Sequence, residues 1–282
     1  MKYNGKTAWI TGASSGIGEA LALEFSKRGA RVILSGRRTD ELNRVAKACA
    51  GETLVLPFEA TDYAALPAIV GKALAWKSGV DILMNNAGVS QRSLALDTDF
   101  ETYRRLMEID FFAPLRLTQL ILPSMVERRA GHIGVISSVA GKVGAPLRTG
   151  YCAAKHACVG YFDALRAEVE KAYNIGVSVI EPGSVRTGVA RNALNGDGSA
   201  RGRSDHNIDN GMDPARAAGV ILDGIAAGMR EIPVAEGMEL AALTLRAENP
   251  DGLFAMLAEQ GARLAAEREQ SGATPDPQRT NA

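Results

Sequence analysis

Short apolar segments alternate with longer amphipathic segments along most of the chain. The apolar segments are rich in Val, Ile and Leu and mostly lack an alternating polar face, which is typical of parallel strands buried on both sides. They predict strands at 7–11, 31–35, 53–57, 81–84, 132–137, 176–181 and 231–235. Helical periodicity predicts helices at 17–28, 39–50, 63–77, 99–129, 149–174 and 213–229.

This alternation predicts an α/β protein with a single-domain Rossmann fold, a doubly wound parallel seven-stranded sheet with helices on both faces. We assign residues 1–236 to this domain. A loop at about 188–212, rich in Gly, Asn, Asp, Ser and Arg, is either a lid that orders on a ligand or a plain disordered loop. Residues 237–270 form a helical extension that covers either a cleft or a partner subunit. The polar tail 271–282 is expected to be disordered.

Composition narrows the function further. The 282 residues carry a formal charge of zero, without a basic stripe, which argues against a nucleic-acid partner. No apolar run approaches the roughly 20 residues of a membrane span, and no signal peptide is visible. The three cysteines lack C-x-x-C spacing, so we expect a reduced, cytoplasmic protein. The three histidines lack ligand spacing, so no metal site is expected.

A glycine-rich turn follows the first predicted strand. Gly12, Gly16 and Gly18 have the spacing G-x-x-x-G-x-G and lead directly into a helical pattern. Strand, glycine-rich turn and helix are the context of a dinucleotide site, because the backbone can approach a pyrophosphate and the helix N-terminus offers free N–H groups. By itself the turn is a weak signal, and the alternative is a bare tight turn.

Tyr151 and Lys155 provide candidate acid–base chemistry. Their spacing of four residues places them one turn apart on one face of the predicted helix 149–174. A phenol has an ordinary pKa of about 10, and a cation one turn away favours its ionised form. The hydroxyl of Ser138, at the end of the fifth predicted strand, is placed to hold a substrate oxygen. Together these groups could exchange a proton with the oxygen of an alcohol or a carbonyl substrate.

Five motifs along the chain match one family in order and spacing. They are Thr-Gly-Ala-Ser-Ser-Gly-Ile-Gly at 11–18, Asn-Asn-Ala-Gly at 85–88, Ser138, Tyr-Cys-Ala-Ala-Lys at 151–155 and Pro-Gly at 182–183. The chain therefore resembles the short-chain dehydrogenase/reductase family over roughly residues 4–235. It is most similar to the branch of hydroxysteroid-type and general dehydrogenase/reductase enzymes. It lacks the family's common C-terminal strand ending in Asp-Gly-Gly.

The resemblance implies hydride transfer, with a proton exchanged between Tyr151 and the substrate oxygen. Ser138 anchors that oxygen, and Lys155 bonds the nicotinamide ribose and keeps Tyr151 acidic. Asn86 lies where the family contacts a ribose. The implied cofactor-binding residues are Gly12, Ser14, Ser15, Gly16, Ile17, Gly18, Arg37, Arg38, Glu59, Ala60, Asn86, Ala87, Gly88, Tyr151, Lys155, Pro182, Gly183, Val185 and Thr187.

Asp110 stands where the family commonly has a catalytic Asn. Pro114 lies four residues later and has no N–H, so the carbonyl of residue 110 loses its helical partner and the helix should kink. In the family this carbonyl holds a water that links to the lysine. Asp110 either keeps that backbone role as a fourth catalytic residue or merely stabilises the kink. Burial would favour its neutral form.

The residues after the second predicted strand indicate the cofactor. NAD enzymes usually place an acidic residue there, whereas this chain has Arg37 and Arg38 and no carboxylate before Asp40. Arginine suits a phosphate, so we predict a preference for NADP(H) over NAD(H), to which Ser14 adds a hydroxyl. The alternative is that both arginines are solvated loop charges. Glu59 replaces the family's Asp and is expected to accept from the adenine amino group.

The expected substrate is a small-molecule alcohol or carbonyl compound. A steroid, a retinoid, a sugar and a small aldehyde all remain open. Family members pair through the two long helices, so we expect a homodimer, with a homotetramer as the alternative. Two other functions compete with an oxidoreductase: a nucleotide-sensing regulator of the same fold, and an epimerase or dehydratase. Regulators typically lose the Tyr or the Lys, and epimerases have a different glycine turn.

Overall fold

Seven parallel strands lie at the centre of the protein, whose computed structural model describes residues 3–275. They are β1 (Thr7–Thr11), β2 (Arg31–Ser35), β3 (Thr53–Val55), β4 (Ile82–Asn85), β5 (Gly131–Ile136), β6 (Ile175–Pro182) and β7 (Glu231–Val234). Their order in the sheet is β3-β2-β1-β4-β5-β6-β7. The direction of winding changes between β1 and β4, which is the switch point at which such sheets bind ligands. The predicted fold class is confirmed.

Helices cover both faces of this sheet. They are α1 (Gly16–Lys27), α2 (Thr39–Ala48), α3 (Leu66–Ala75), α4 (Phe100–Met107), α5 (Ala113–Arg128), α6 (Thr149–Tyr173), α7 (His206–Asp209), α8 (Pro214–Ala226), α9 (Gly237–Glu248) and α10 (Pro250–Ser271). No helix within residues 3–275 is both long and apolar enough to span a bilayer.

Two hydrophobic cores result, because consecutive strand residues point to opposite faces. Trp9 and Ile10 follow each other in β1, yet each belongs to a different core. Ile10 packs with Phe25 of α1 and Ile221 of α8, whereas Trp9 shares its core with Phe162 of α6. This burial on both faces explains the continuous apolar runs of the strands.

Three predicted elements differ clearly from the structure, and each of them contains a proline. The predicted helix 99–129 is divided into α4, a π-helical turn at Glu108–Phe112, and α5, because Pro114 lacks the N–H that would continue the helix. The strand predicted at 53–57 ends at Val55, two residues before Pro57, although the N–H groups of Leu56 and Phe58 still donate to the carbonyls of Leu34 and Gly36. The helix predicted from 63 begins at Leu66, with Pro67 in its first turn.

Candidate active site

The turn after β1 is closed by its own glycines. Gly12 and Gly16 have φ angles of 66° and 60°, a left-handed region that other residues rarely adopt. A Cβ on Gly18 would overlap the carbonyl oxygen of Gly12. A Cβ on Gly12 would lie 2.9 Å from the Cα of Ala87, in the turn after β4. Gly12 and Gly18 therefore each allow one close backbone approach, while Ile17 packs against the core.

Asn86 fastens this turn to the end of β4. Its Nδ2 donates to the carbonyl oxygen of Thr11 at 2.8 Å. The hydroxyl of Thr11 accepts from the N–H groups of Asn86 and Ala87, both at 3.0 Å. The Asn86 side chain, which the family resemblance places at a ribose, is thus directed to the glycine turn in this structure. Residues 12–18 and 86–88, together with Arg38, are called the cofactor cradle below.

Arg38 is the cation that lies against the cradle. Its Nη2 donates to the hydroxyls of Ser14 at 3.0 Å and Ser15 at 2.8 Å. Arg37 points elsewhere: its side chain is 72% exposed, and its Nη1 lies 3.6 Å from Oε2 of Glu59. The sequence analysis assigned the same role to both arginines, but in the structure only Arg38 contacts the glycine turn.

The cradle fits a nicotinamide dinucleotide. Its glycines leave room for a pyrophosphate, and the side chain of Ser15 makes no capping hydrogen bond at the N-terminus of α1. The first N–H groups and the positive end of the helix dipole therefore suit an anion. Beside them a small cavity lies between the ends of β1 and β4 and α5. It is lined by Thr11, Phe58, Ala60, Leu66, Asn85, Ala87, Ile109, Ala113, Pro114 and Leu117.

Lys155 and Tyr151 lie at the end of β5. Lys155 is 4% exposed, and its Nζ donates to the carbonyl oxygen of Ile136 at 3.1 Å. The same Nζ lies 5.6 Å from the centroid of the half-buried Tyr151 ring. Ser138 follows β5, donates to the carbonyl oxygen of Pro182 at 3.1 Å and accepts from the N–H of Ala140 at 3.1 Å. The side chain of Lys155 thus joins α6 to the sheet.

Asp110 is a buried partner of Lys155. Its Oδ1 lies 3.9 Å from Lys155 Nζ and accepts from the N–H of Val89 at 2.8 Å. Its Oδ2 has no hydrogen-bond partner among the described residues. Gly88 makes the approach possible, because a Cβ there would lie 2.7 Å from Oδ1.

Burial raises the pKa of Asp110 to about 6, although Lys155 and the N–H of Val89 both lower it. Burial alone would lower the pKa of Lys155. The charge of Asp110, followed by the smaller effects of Tyr151 and Cys158, outweighs burial and raises that pKa above its ordinary value. The pair is therefore an ammonium and a carboxylate at neutral pH.

The carbonyl of Asp110 has a partner that the sequence did not reveal. The thiol of Cys158, one turn beyond Lys155 on α6, lies 3.0 Å from this oxygen. Burial raises the pKa of Cys158 to about 11, so the sulfur keeps the proton that it donates. The predicted kink exists as the π-helical turn, but the freed carbonyl is bonded to a side chain of the protein itself.

The segment after β6 contacts both the cradle and the C-terminal extension. A Cβ on Gly16 would lie 3.0 Å from Cγ2 of Thr187. Val185 is buried and pairs with Met212 in an isolated bridge. The N–H and hydroxyl of Ser184, next to Pro182 and Gly183, donate to the carboxylate of Glu239 at 2.6 and 2.7 Å.

Glu239 belongs to α9 and also occupies space beside Gly183, where a Cβ would overlap Oε2. Nothing in the sequence around Glu239 signals this role, because 55 positions separate it from Ser184.

The loop 188–212, called the substrate loop below, is folded in this structure. Its Asp205 is 3% exposed and pairs with Arg92 at 2.6 Å and with Arg201. Burial alone would raise the pKa of Asp205, but the two arginines outweigh it and hold this pKa below its usual range. Burial and Arg148 lower the pKa of Arg92 to about 10, so Arg92 stays protonated at neutral pH. A buried charge cluster therefore fixes the loop to the segment after β4.

The far end of the C-terminal extension reaches that same segment. Arg268, near the end of α10, forms a bidentate ion pair with Asp97, at 2.7 and 2.9 Å from Nε. The hydroxyl of Thr274 also donates to Asp97. Residues 271–275 of the expected disordered tail are therefore described and partly bonded, whereas 276–282 lie outside the described residues. Within residues 3–275, no group of three or more His, Cys, Asp or Glu side chains is arranged to hold a metal ion.

A dinucleotide cradle beside a Ser, a Tyr and a buried Lys defines a Rossmann-type oxidoreductase. A family model described as short chain dehydrogenase matches residues 6–197. The Dehydrogenase/reductase SDR family protein 7-like of Drosophila melanogaster is 41% identical, covering 92% of this chain and 82% of the relative. The chain belongs to the short-chain dehydrogenase family. It is accordingly an oxidoreductase that acts on CH–OH groups with NAD(P).

Two solved structures are similar in fold. A short-chain dehydrogenase from Sphingobium yanoikuyae in complex with NADPH has a TM-score of 0.73 and 26% identity, over 92% of this chain and 95% of that chain. A short chain dehydrogenase/reductase from Burkholderia phymatum in complex with NAD has a TM-score of 0.76 and 22% identity, over 98% of this chain and 99% of that one.

Proposed function

We propose that the protein is an NADP(H)-dependent oxidoreductase that interconverts an alcohol and a carbonyl, with Tyr151 as general acid and base. One observation carries the proposal. The buried ammonium of Lys155 lies 5.6 Å from the Tyr151 ring, on the same helix, at the strand end that bears Ser138. This arrangement supports a proton-transfer role for Tyr151, since Lys155 also lies beside Gly88 of the cradle.

Each residue then has a defined task. The bound nucleotide supplies or accepts the hydride. Tyr151 gives its phenolic proton to a carbonyl oxygen in the reductive direction and takes it back in the oxidative one. The positive charge of Lys155 stabilises the oxyanion that remains on the phenol. Ser138 turns its hydroxyl from the carbonyl of Pro182 to the substrate oxygen and so holds that oxygen for the transfer.

The preference for NADP(H) rests on Arg38. Its guanidinium lies against Ser14 and Ser15, where forked donors and two hydroxyls suit a 2′-phosphate. The related structure with NADPH supports this choice, and the one with NAD shows the fold alone. Fluorescence titration tests it: NADPH should bind at least about tenfold tighter than NADH. Arg38→Ala should abolish that difference, whereas Arg37→Ala is the matched control and should keep it. Equal affinities in the wild type would refute the preference.

We propose that the extension 237–270 covers the substrate cleft of its own subunit. Glu239 binds the loop after β6, and Arg268 binds the segment after β4. The sheet order places β5, with Ser138 at its end, between these two attachments. A helical pair that joins both must pass over the site, which favours a small-molecule alcohol or carbonyl substrate enclosed from water. Removal of residues 237–282 should raise the KM for carbonyl substrates more than the Kd for NADPH.

The decisive experiment follows NADPH consumption with a panel of ketones, aldehydes and quinones, for the wild type and Tyr151→Phe. The wild type should turn over at least one class, and the variant should bind NADPH normally without turnover. A protein that binds NADPH and consumes it with no member of the panel would instead support the nucleotide-sensing regulator.

Assembly and location complete the proposal. We propose a homodimer through α5 and α6, with a homotetramer as the alternative. Its support is the family resemblance and the exposure of Phe112 at the start of α5. Light scattering of the purified protein distinguishes monomer, dimer and tetramer. We also propose a cytoplasmic location, which cell fractionation tests.

A further inference from the structure

Gln91 is completely buried at the N-terminus of the catalytic helix, and the mechanism above gives it no task. Its Oε1 accepts hydrogen bonds from the N–H groups of Gly150 at 2.7 Å and Tyr151 at 3.2 Å. These are N–H groups of the first turn of α6, which have no partner within the helix. The N-cap residue, Arg148, makes no capping hydrogen bond. A residue 59 positions away thus performs the capping that a neighbouring Ser or Asp usually performs.

The other end of the same amide is also fixed. Its Nε2 donates to the hydroxyls of Ser93 at 3.0 Å and Thr98 at 3.2 Å. Reversing the amide would set its NH₂ group against two N–H donors, so only one orientation satisfies all the bonds. The oxygen that reaches Tyr151 is therefore held from both sides.

The backbone of Gln91 is joined to the substrate loop. Its neighbours on either side pair with Leu194: the N–H of Leu194 donates to Ser90 at 2.8 Å, and the N–H of Arg92 donates to Leu194 at 2.9 Å. A Cβ on Gly150 would lie 3.1 Å from Oε1 of Gln91 and closer still to Leu106 and Tyr103. Gly150 thereby lets the helix approach the amide.

We propose that Gln91 is a positioning residue, which sets the first turn of α6 so that the phenol of Tyr151 faces the substrate oxygen. It also transmits the position of the substrate loop to that phenol, because its backbone pairs with the loop while its side chain holds the helix. This inference rests on the proposed role of Tyr151 as the acid and base. Displacing a catalytic group by about 1 Å can cost on the order of 100-fold in rate.

Three substitutions at Gln91 separate the effect of side-chain length from that of the hydrogen-bond acceptor. Gln91→Met keeps the length and removes the acceptor, while Gln91→Asn keeps the amide and withdraws its oxygen by one carbon. Gln91→Glu keeps the acceptor at the N-terminus of α6, where a negative charge is favoured, and the hydroxyl of Ser93 can turn to donate to it, whereas that of Thr98 already donates to Leu94. With the panel carbonyl that the wild type reduces fastest, Met and Asn should each lower kcat at least about tenfold. Glu should restore kcat to within about threefold of the wild type, and the Kd for NADPH should stay unchanged throughout.

Hydrogen exchange of the peptide containing Gly150 and Tyr151 gives a second readout. Exchange should accelerate in the Met and Asn variants and stay slow in Glu. Ser93→Ala is the matched control, since it removes one partner of Nε2 and leaves Oε1 in place. Should Gln91→Met fail to fold, Gln91→Asn carries the test alone.

The inference is overturned if the folded Met or Asn variant keeps kcat within threefold of the wild type while Tyr151→Phe is inactive. The inference is equally overturned if the kcat of Gln91→Glu is as low as that of Gln91→Met. A Tyr151→Phe variant that still turns over would refute the proposed function itself, which distinguishes the two failures.

Discussion

The cofactor cradle and the substrate loop both follow the carboxyl ends of strands, yet different interactions hold them in place. In the cradle, Gly12 and Gly18 allow backbone segments to approach within van der Waals contact, and Gly16 adopts a left-handed φ angle. In the loop, Arg92 and Arg201 bind Asp205 inside the protein. Close backbone approach restricts each position to glycine, whereas an ion pair only requires that two side chains distant in sequence carry opposite charges. The first kind of site is readable from a local motif, and the second is not.

The largest expected effect is the loss of the charge at Asp205. Asp205→Asn leaves the buried guanidinium group of Arg92 without the counter-charge that the described residues give it, which should lower the free energy of unfolding by about 3–5 kcal/mol. Chemical denaturation measures this value, and fluorescence titration should give an unchanged Kd for NADPH in the folded variant. Asp197→Asn, on the same loop but exposed, is the control and should not shift the denaturation midpoint. A weakened Kd for NADPH would show that the two regions are not independent.

The second-largest effect is expected in the cradle, where a substitution should weaken cofactor binding. Gly18→Ala places a methyl group against the carbonyl of Gly12 and 2.5 Å from Nδ2 of Asn86. The turn must open, so the Kd for NADPH should rise at least about 100-fold, which corresponds to about 2.7 kcal/mol. Gly144→Ala is the matched control, because a Cβ there meets nothing within 4 Å. Binding of NADPH by Gly18→Ala at near wild-type affinity would contradict the close-approach account.

Asp110 lies between the two regions and gives a prediction about pH. Its pKa is raised in the folded state, so its contribution to stability is complete below about pH 4 and is lost as the pH rises through about 6. The variant Asp110→Asn has no titrating carboxyl group at this position and therefore lacks this pH-dependent contribution to stability. The stability of the wild type relative to the variant should therefore fall by about 2–3 kcal/mol between pH 4 and pH 7.

The measurement is a series of urea denaturations across this pH range. Because Asn keeps an acceptor for the N–H of Val89, the variant should also retain at least about a tenth of wild-type turnover. A constant stability difference across the range, or a turnover loss of about a thousandfold with normal NADPH binding, would be incompatible with the geometry of the pair.

The smallest expected effect concerns the attachment of α9. Glu239→Gln keeps one acceptor for Ser184 and loses the charge, so the free energy of unfolding should fall by about 1 kcal/mol. Hydrogen exchange should accelerate in 237–248 while the peptide with Gly12 and Gly18 stays protected. Glu259→Gln, on α10, serves as a control without any change in exchange. Equal acceleration in the cradle would remove the distinction between the two regions.

Sequence reasoning reached the sheet and the cradle because their signals are local. Val, Ile and Leu runs mark buried strands, and Gly12 to Gly18 marks a turn that only glycine closes. The side-chain pattern of Tyr151 and Lys155 spans a single helical turn. These features need no knowledge of which distant segments meet.

The remainder depends on contacts between distant positions. Asp205 meets Arg92 across 113 residues, and Gln91 meets Gly150 across 59. The polar composition of 188–212 indicates turns, but it does not distinguish a disordered loop from turns held by a buried cluster. Likewise, Pro114 predicts a free carbonyl at Asp110, while the donor comes from Cys158 on another helix. Residues that look unremarkable in the chain can thus complete the site.

The contact between Glu239 and the turn at Gly183 has a consequence for how such enzymes diversify. Because α9 inserts an acid where only glycine leaves space, a change in either segment requires a matching change in the other. A chimera that received this helix from a relative without a carboxylate at that point would leave the amide of Ser184 unsatisfied. Recombination at the end of the domain is therefore constrained by a single side chain.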